Sequence, residues 1–334
     1  MAGKDRRVTS ADVAREAGVS RSTVSYVLND TPNQSIPDST RRRVLDAAAR
    51  IGYAPSAAAR TLRSGRSDVV LCLLPEWPLG PAVGRLIQGM TTAFARHKLA
   101  FVVHSATRAA RPLSEVWKAI TPAAVLALDE FSDADAAAMQ AAGVQVIVAM
   151  HASARRRWRE IGTPENPIGA VQARHLATSG HRRLGYAYPD DARVGVFADP
   201  RLAGVREVCA ELGLPAPDVR TVPLDPDAAA EAVEAWLAAD PPVTGICAFN
   251  DDIAMAVLAG VARLGRRCPR DLAVVGVDDI PGAAVAQPPL TTVVRDFDTI
   301  AEHYARSVVA ALNGESLPAG LVEDAIRVEI RESA

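Results

Sequence analysis

Between residues 9 and 28, apolar positions recur at helical spacing on either side of one glycine: Val13 precedes Gly18, and Val19, Val24, Val27 and Leu28 follow it. Thr9 with Asp12 three residues on is a near relative of the capping box, setting a hydroxyl and a carboxylate beside the positive end of a first helix. Gly18 supplies the left-handed backbone that ends this helix, and Ser20 caps a second. The turn is about three residues long. Ala14 leaves room where two steeply crossed helices must touch, and Val13, Val19 and Val24 can fill the space between them. The pattern predicts a helix-turn-helix; an ordinary helical hairpin is the alternative, and the short capped turn favours the former.

A third helix is announced by Ile36-Pro-Asp-Ser-Thr40, continues through Arg41 to Ile51, and stops at Gly52. Val44, Ala48 and Ile51 form its apolar stripe, while Arg41, Arg42 and Arg43 face either solvent or phosphate. Pro55 to Arg66 then reads as a linker with one or two turns of possible helix, too short to be stable alone and expected to order against DNA and a partner chain.

From Asp68 the texture changes to short apolar runs alternating with Ala-rich amphipathic stretches. Strands are predicted at Val69 to Leu74, Ala100 to His104, Ala124 to Leu128, Val144 to Ala149, Leu184 to Tyr188, Gly245 to Phe249 and Ala273 to Val277. Helices are predicted around 82–97, 133–142, 168–179, 201–212, 227–239, 252–264 and 298–312. Repeated β-α-β order predicts parallel strands covered by helices on both faces, with ligand beyond the carboxyl ends of the strands. The strands outnumber those of one compact sheet, so two α/β lobes with a cleft between them are expected.

Composition sharpens this picture. A length of 334 residues suggests two or three domains. The net charge of −2 hides an asymmetry: residues 1–66 hold twelve Lys and Arg against six Asp and Glu, or +6, which leaves −8 for the remainder. A basic head on an acidic body suits a nucleic-acid reader. Cys72, Cys209, Cys247 and Cys268 include no C-x-x-C pair, which points to reduced, buried thiols rather than a zinc module or a disulfide framework. No export signal and no run of about 18 apolar residues is read, so a cytoplasmic protein with no membrane partner is expected. Hydrolase, phosphate-loop and metalloprotease signatures are missing, the six His lack metal-ligand spacing, and His181 reads as structural. The expectation is therefore a non-enzyme without cofactor or metal.

These residues resemble the lactose-repressor and purine-repressor (LacI-type) family of transcription regulators over nearly the whole chain. The head matches almost position for position, and Gly52-Tyr-Ala-Pro-Ser-Ala-Ala-Ala-Arg-Thr-Leu-Arg63 is similar to the family's hinge signature. Further matches are Ser179-Gly-His-Arg-Arg-Leu-Gly-Tyr186, Arg201-Leu-Ala-Gly204, Ala248-Phe-Asn-Asp-Asp252, Val275-Gly-Val-Asp-Asp279 and Pro288-Pro-Leu-Thr-Thr-Val293. The resemblance implies an all-α helix-turn-helix head over 1–54, a hinge helix or linker over 55–66, and a two-lobed α/β periplasmic-binding-protein-like core with parallel sheets over 67–334. The first lobe would take about 67–162 and 295–322, the second about 163–294 and 323–334. It also implies a homodimer on a near-palindromic double-stranded operator.

Arg21, Ser22 and Tyr26 lie on the face of the second helix that would enter the major groove. Arg21 can hold guanine O6 and N7 with two hydrogen bonds; Ser22 is less selective. Tyr26 either contacts a thymine methyl or a phosphate, or packs against the head's edge. Thr9, Ser20, Thr23, Ser25, Asn29, Ala57, Arg60 and Arg63 complete the expected DNA-contacting set. By resemblance Leu62 is a minor-groove wedge; otherwise it caps the core. Arg201, Asn250 and Asp278 fall after candidate strands and match effector-contacting positions of relatives, although Asn250 and Asp278 could instead cap helices. Trp77 either stacks on ligand or fills a lobe interface. The effector expected is a sugar or other polar metabolite.

Some positions depart from the family. Tyr26 stands where Arg is frequent, Val148-Ala-Met150 replaces a strand ending in Val-Asp, and the segment between the second and third strands is shortened. No heptad-bearing tail follows Ser333, so a tetramerisation helix is not expected. The reading reached is a repressor whose operator affinity responds to a ligand between the lobes. The alternatives are an effector-independent regulator and, in a different class, a solute-binding or sugar-processing α/β protein.

Overall fold

Three short helices sharing one apolar centre build the N-terminal unit, which extends to Asp68: α1 (Ser10–Ala17), α2 (Arg21–Leu28) and α3 (Asp38–Arg50). The computed structural model describes residues 8–28, 34–53, 67–105, 113–128, 132–148, 159–161, 164–318 and 325–334. Asn29, the hinge positions Ala57, Arg60, Leu62 and Arg63, and Met150 lie outside the described residues. At the start of α1 the Asp12 carboxylate accepts from both the Thr9 amide (2.9 Å) and the Thr9 hydroxyl (2.7 Å). Gly18 sits at φ 62°, ψ 39°, the left-handed geometry that lets the chain turn within three residues. Ser20 then accepts from the Thr23 amide at 3.1 Å, capping α2. Val13, Val24 and Val44, one from each helix, are fully buried and meet Ala14, Ala17, Ala47 and Ala48 at the crossing. Small side chains there let the helices cross closely.

The second unit, Val69–Ala334, contains two parallel sheets. The first has β1 (Val69–Leu74), β2 (Ala100–Ser105), β3 (Ala124–Ala127), β4 (Gln145–Val148) and β5 (Arg159–Glu160), in the order β2-β1-β3-β4-β5. Alternation along each strand divides the residues between two covers. Val70, Cys72, Leu126 and Ile147 face α4 (Pro81–Arg96) and α11 (Phe297–Asn313), while Leu71, Val125 and Val146 face α5 (Leu113–Ile120) and α6 (Asp133–Ala141).

The second sheet runs β11-β10-β9-β8-β6-β7. Its strands are β6 (Leu184–Pro189), β7 (Asp218–Val222), β8 (Gly245–Ala248), β9 (Ala273–Val277), β10 (Thr291–Arg295) and β11 (Ile326–Glu329). Only β11, paired with β10, is antiparallel among these described strands. One face carries α7 (Asn166–Thr178) and α8 (Gly195–Glu211), the other α9 (Pro226–Leu237) and α10 (Asp251–Arg263) around the fully buried Trp236. The chain passes from the first lobe to the second between β5 and α7, returns between β10 and α11, and passes back between α11 and β11.

The sequence reading missed β5, β7, β10, β11 and α5. It also began a helix at about 201, directly after a supposed strand end, whereas α8 begins at Gly195 and encloses Arg201. Pro200 resembles a helix stop, yet near the amino end of a helix it forfeits only one backbone hydrogen bond. No helix among the described residues is long and apolar enough to cross a membrane.

Helices α7 and α8 touch backbone to backbone. A Cβ on Gly204 would lie 1.9 Å from the Asn166 carbonyl oxygen, and one on Gly169 would lie 1.8 Å from that of Arg201. The two glycines thus bring the start of α7 against the first turns of α8. Gly204→Ala should force these helices apart and destabilise the core by about 1–3 kcal/mol, the usual cost of overpacking. Urea unfolding followed through the buried tryptophans checks this; an unchanged midpoint would refute the close approach.

Candidate functional site

Two surfaces answer to the chemistry expected from the sequence, one in each unit. On the head, Arg21 and Ser22 are exposed at the amino end of α2, and Tyr26, one turn further, is 38% exposed, which removes it from the core. The hydroxyls of Ser22 and Thr23 lie 2.7 and 2.8 Å from the Ser20 hydroxyl, forming one polar cluster beside Arg21. Ser25 is half-buried. Arg15 and Arg50 pair with Asp12 and Glu16, whereas Arg21 has no ion pair among the described residues. A free guanidinium, a cluster of hydroxyls and an amphipathic phenol therefore share the outer end of one helix.

In the second unit, a cavity of about 400 Å³ lies between the lobes. The first lobe contributes Trp77, Leu86, Leu128 and the α11 residues Phe297, Ile300 and Tyr304; the second contributes Phe197, Arg201, Phe249, Asn250, Asp252 and Asp278. Trp77 crosses the gap to Phe197 edge-on, with ring centroids 4.7 Å apart. The structure thus brings together Trp77, Arg201, Asn250 and Asp278, each by a different route. Asn250 accepts from the Ile253 amide at 3.0 Å and caps α10, leaving its amide nitrogen for the cavity. Asp278 follows β9 at φ 97° and Asp279 at φ 47°, so the chain leaves the sheet through two left-handed residues. Asp278 is only 7% exposed, and its Oδ1 has no hydrogen-bond partner.

Arg201 is almost completely buried and fully engaged. Its Nε and Nη2 donate to Glu165 Oε2 at 2.9 and 2.8 Å, its Nη1 donates to the Phe249 carbonyl at 2.8 Å, and the guanidinium lies 4.9 Å from the Phe249 ring. Burial pulls its pKa down, but Glu165 and Asp278 more than offset this and hold it above the ordinary arginine value. Glu165 also accepts from Arg295 Nη2 at 2.8 Å through Oε1. Arg295 and Arg85 each lie over the Phe297 ring, and Arg85 donates to the backbone carbonyl of Asp278.

The sequence reading overlooked Glu165, Arg295, Arg85 and the three phenylalanines. Glu165 stands in a proline-flanked loop with no motif of its own. Arg295 ends an unforeseen strand whose Thr-Thr-Val-Val run was its signal. His181 hydrogen-bonds Thr244 (3.0 Å), and its pKa is lowered by burial and by His175, as suits a structural imidazole. The four cysteines are free thiols, three of them buried.

Behind Asp278, the fully buried Asp251 accepts from the Thr292 hydroxyl (2.6 Å) and the Ile280 amide (2.8 Å), tying the loop after β9 to β10. Burial pushes its carboxyl up to about 7, helped by the charges of Asp278 and Asp279. The native state therefore holds a proton that the unfolded chain has released. The stability from this group is fully present below about pH 4 and is lost as the pH rises through about 7. Asp251→Asn should flatten that part of the stability profile, measured as denaturation midpoints between about pH 4.5 and about pH 7.5. An unchanged slope would remove Asp251 as its source.

Comparison with known proteins places both surfaces in context. Residues 9–56 match the family described as bacterial regulatory proteins, lacI family, and residues 173–334 match a periplasmic binding protein-like domain. The HTH-type transcriptional regulator CelR of Thermobifida fusca is 30% identical over 349 residues, covering 98% of each chain. A solved complex of the transcriptional regulator CelR with cellobiose superposes with a TM-score of 0.66 at 26% identity, covering 98% of this chain and 100% of the other. The lac repressor dimer bound to operator and the anti-inducer ONPF has a TM-score of 0.79 at 22% identity, covering 98% and 99%, and shares the fold.

Proposed function

The chain belongs to the lacI family of bacterial regulatory proteins, and we propose that it is a homodimeric repressor of transcription, released from or driven onto a near-palindromic operator by a small molecule in the cleft between its lobes. The observation that carries this reading is the presence, in one chain, of a capped helix-turn-helix whose outer end carries an arginine without an ion pair among the described residues, and a two-lobed core enclosing a cavity. A structural neighbour, a transcriptional regulator CelR, is solved with cellobiose, which supports a small organic ligand here. The lac repressor is solved as a dimer on its operator, which supports two-fold binding. The protein acts by binding rather than by catalysis, and it works in the cytoplasm, where its operator is.

Residues 1–54 form the DNA-reading domain, 55–66 the hinge and 67–334 the sensing and dimerising domain. Arg21 reads a guanine through O6 and N7, with Ser22 and Tyr26 beside it in the major groove. Thr9, Ser20, Thr23, Ser25 and Asn29 lie along the adjoining backbone, and Arg60 and Arg63 flank the Leu62 wedge near the hinge residue Ala57. In the cleft, Asn250 and Asp278 meet the ligand directly, Trp77 covers it, and Arg201 shapes the floor through its Glu165 ion pair. Ligand shifts operator affinity only as far as it distinguishes two lobe arrangements.

Arg21→Ala should weaken specific binding by about 1–3 kcal/mol and relax the preference at one base pair per half-site, read by selecting duplexes from a random library with each protein. Identical preferences in the variant would show that Arg21 reads no base.

A further inference from the structure

The charges around the cleft are unequally matched. Five carboxylates line it, those of Glu165, Asp190, Asp191, Asp252 and Asp278, against the guanidiniums of Arg201 and Arg295. Both arginines are ion-paired to Glu165, and Arg201 also feels the charge of Asp278 without pairing with it. Arg193 neutralises Asp191 from outside, and Arg85 reaches the backbone carbonyl of Asp278 rather than its carboxylate. Counting these two as well, the carboxylates still exceed the guanidiniums by one. Asp252 and Asp278 have no ion pair among the described residues, and Asp278, more than nine-tenths buried, lines the cavity with a carboxylate whose enclosed Oδ1 has no hydrogen-bond partner among the described residues. Asp252 also feels its neighbour: burial and the charge of Asp278 together raise its pKa. A buried carboxylate with an unfilled acceptor is costly unless a donor arrives, and a cationic donor supplies the larger return.

Beside these charges and Asn250, most of the wall is apolar. Trp77, Phe197, Phe249 and Leu128 surround the space, and Leu224 at its rim is 71% exposed. Such walls bind a hydrophobic body. A bare metal ion is a poor candidate, because no group of three His, Cys, Asp or Glu among the described residues could hold one.

We propose that the cleft takes an organic cation, an amine or amidine carried on an aromatic or similarly apolar body, with its charged end against Asp278 and Asp252 and its body between Trp77, Phe197 and Leu128. This rests on the cleft being the sensing site and names the class of molecule sensed. The ammonium donates to the cavity-facing oxygen of the Asp278 carboxylate and cancels the excess negative charge, and the ring fills the aromatic gap beneath the Trp77–Phe197 contact.

The test uses the full chain, isothermal titration and thermal melting with 2-phenylethylamine, tryptamine and benzamidine. Controls are the hydroxyl counterparts 2-phenylethanol and tryptophol, and the sugars glucose and cellobiose. At least one amine or amidine should bind and raise the melting temperature. If it is 2-phenylethylamine or tryptamine, it should bind at least tenfold more tightly than its hydroxyl counterpart; if benzamidine, at least tenfold more tightly than either alcohol. The same cation should lose at least tenfold in Asp278→Asn. Should that variant fail to melt cooperatively, Asp252→Asn serves in its place, with a loss in the same direction. Equal binding of amine and alcohol, binding by the sugars alone, or no binding by any cation would overturn the proposal while leaving a ligand-responsive regulator intact. Failure of the unliganded and liganded chain to bind any duplex in the library selection would instead overturn the regulator reading itself.

Discussion

Everything in the sensing half depends on one carboxylate, Glu165, holding a buried and a partly buried guanidinium at once. Arg201 belongs to a helix of the second lobe, and Arg295 ends the strand from which the chain returns to the first lobe. Glu165 itself lies where the chain has just entered the second lobe. The ion triad therefore ties together two interlobe connections and the cavity floor. A buried ion pair adds little net stability, but removing one member leaves the others unpaired at a cost of about 3–5 kcal/mol, so the triad fixes geometry more than it adds stability. The glycine contact between α7 and α8 makes this possible, since it sets the start of one helix against Arg201 on the other.

From that floor the cavity is built outward by residues whose backbone roles aim their side chains. Asn250 caps a helix with its oxygen and keeps its nitrogen for the cavity, and Asp278 is turned by a left-handed exit from β9 that Asp251 anchors from behind. Arg85 and Arg295 share the Phe297 ring, so the first-lobe helices α4 and α11 and the end of β10 meet at one aromatic face. Arg85 also bonds to the backbone of Asp278, which gives a ligand on that residue a direct connection to the first lobe. Movement of one lobe against the other must rearrange these contacts, and that is the physical route by which occupancy can be felt beyond the cleft.

Much of this was legible in the chain. The head declared itself through local chemistry, because capping residues, a left-handed glycine and helical spacing act within a few residues of one another. Seven strands and seven helices of the core followed from apolar runs and amphipathic periods. The segments that escaped notice were weakly patterned: β7 alternates charged and apolar residues at a sheet edge, β5 has two residues, and β11 joins the sheet antiparallel at its rim. Of the cleft, Trp77, Arg201, Asn250 and Asp278 could be named in advance, but Arg201 lies inside a helix that begins six residues before it, at Gly195, rather than at a strand end. Glu165, Arg295 and the phenylalanine faces were invisible because they act through contacts between residues as far as 130 apart and more, which no local pattern encodes.

The account rests on a single claim, that a molecule held between the lobes alters the grip of the head on DNA. Its most direct test is the affinity of the full-length protein for a duplex selected from a random library, measured by fluorescence anisotropy with and without a saturating compound that raises the melting temperature of the protein. The account predicts a shift in the binding midpoint of at least about fivefold, the lower range of allosteric coupling. A midpoint that stays the same while calorimetry shows the cleft occupied would contradict it.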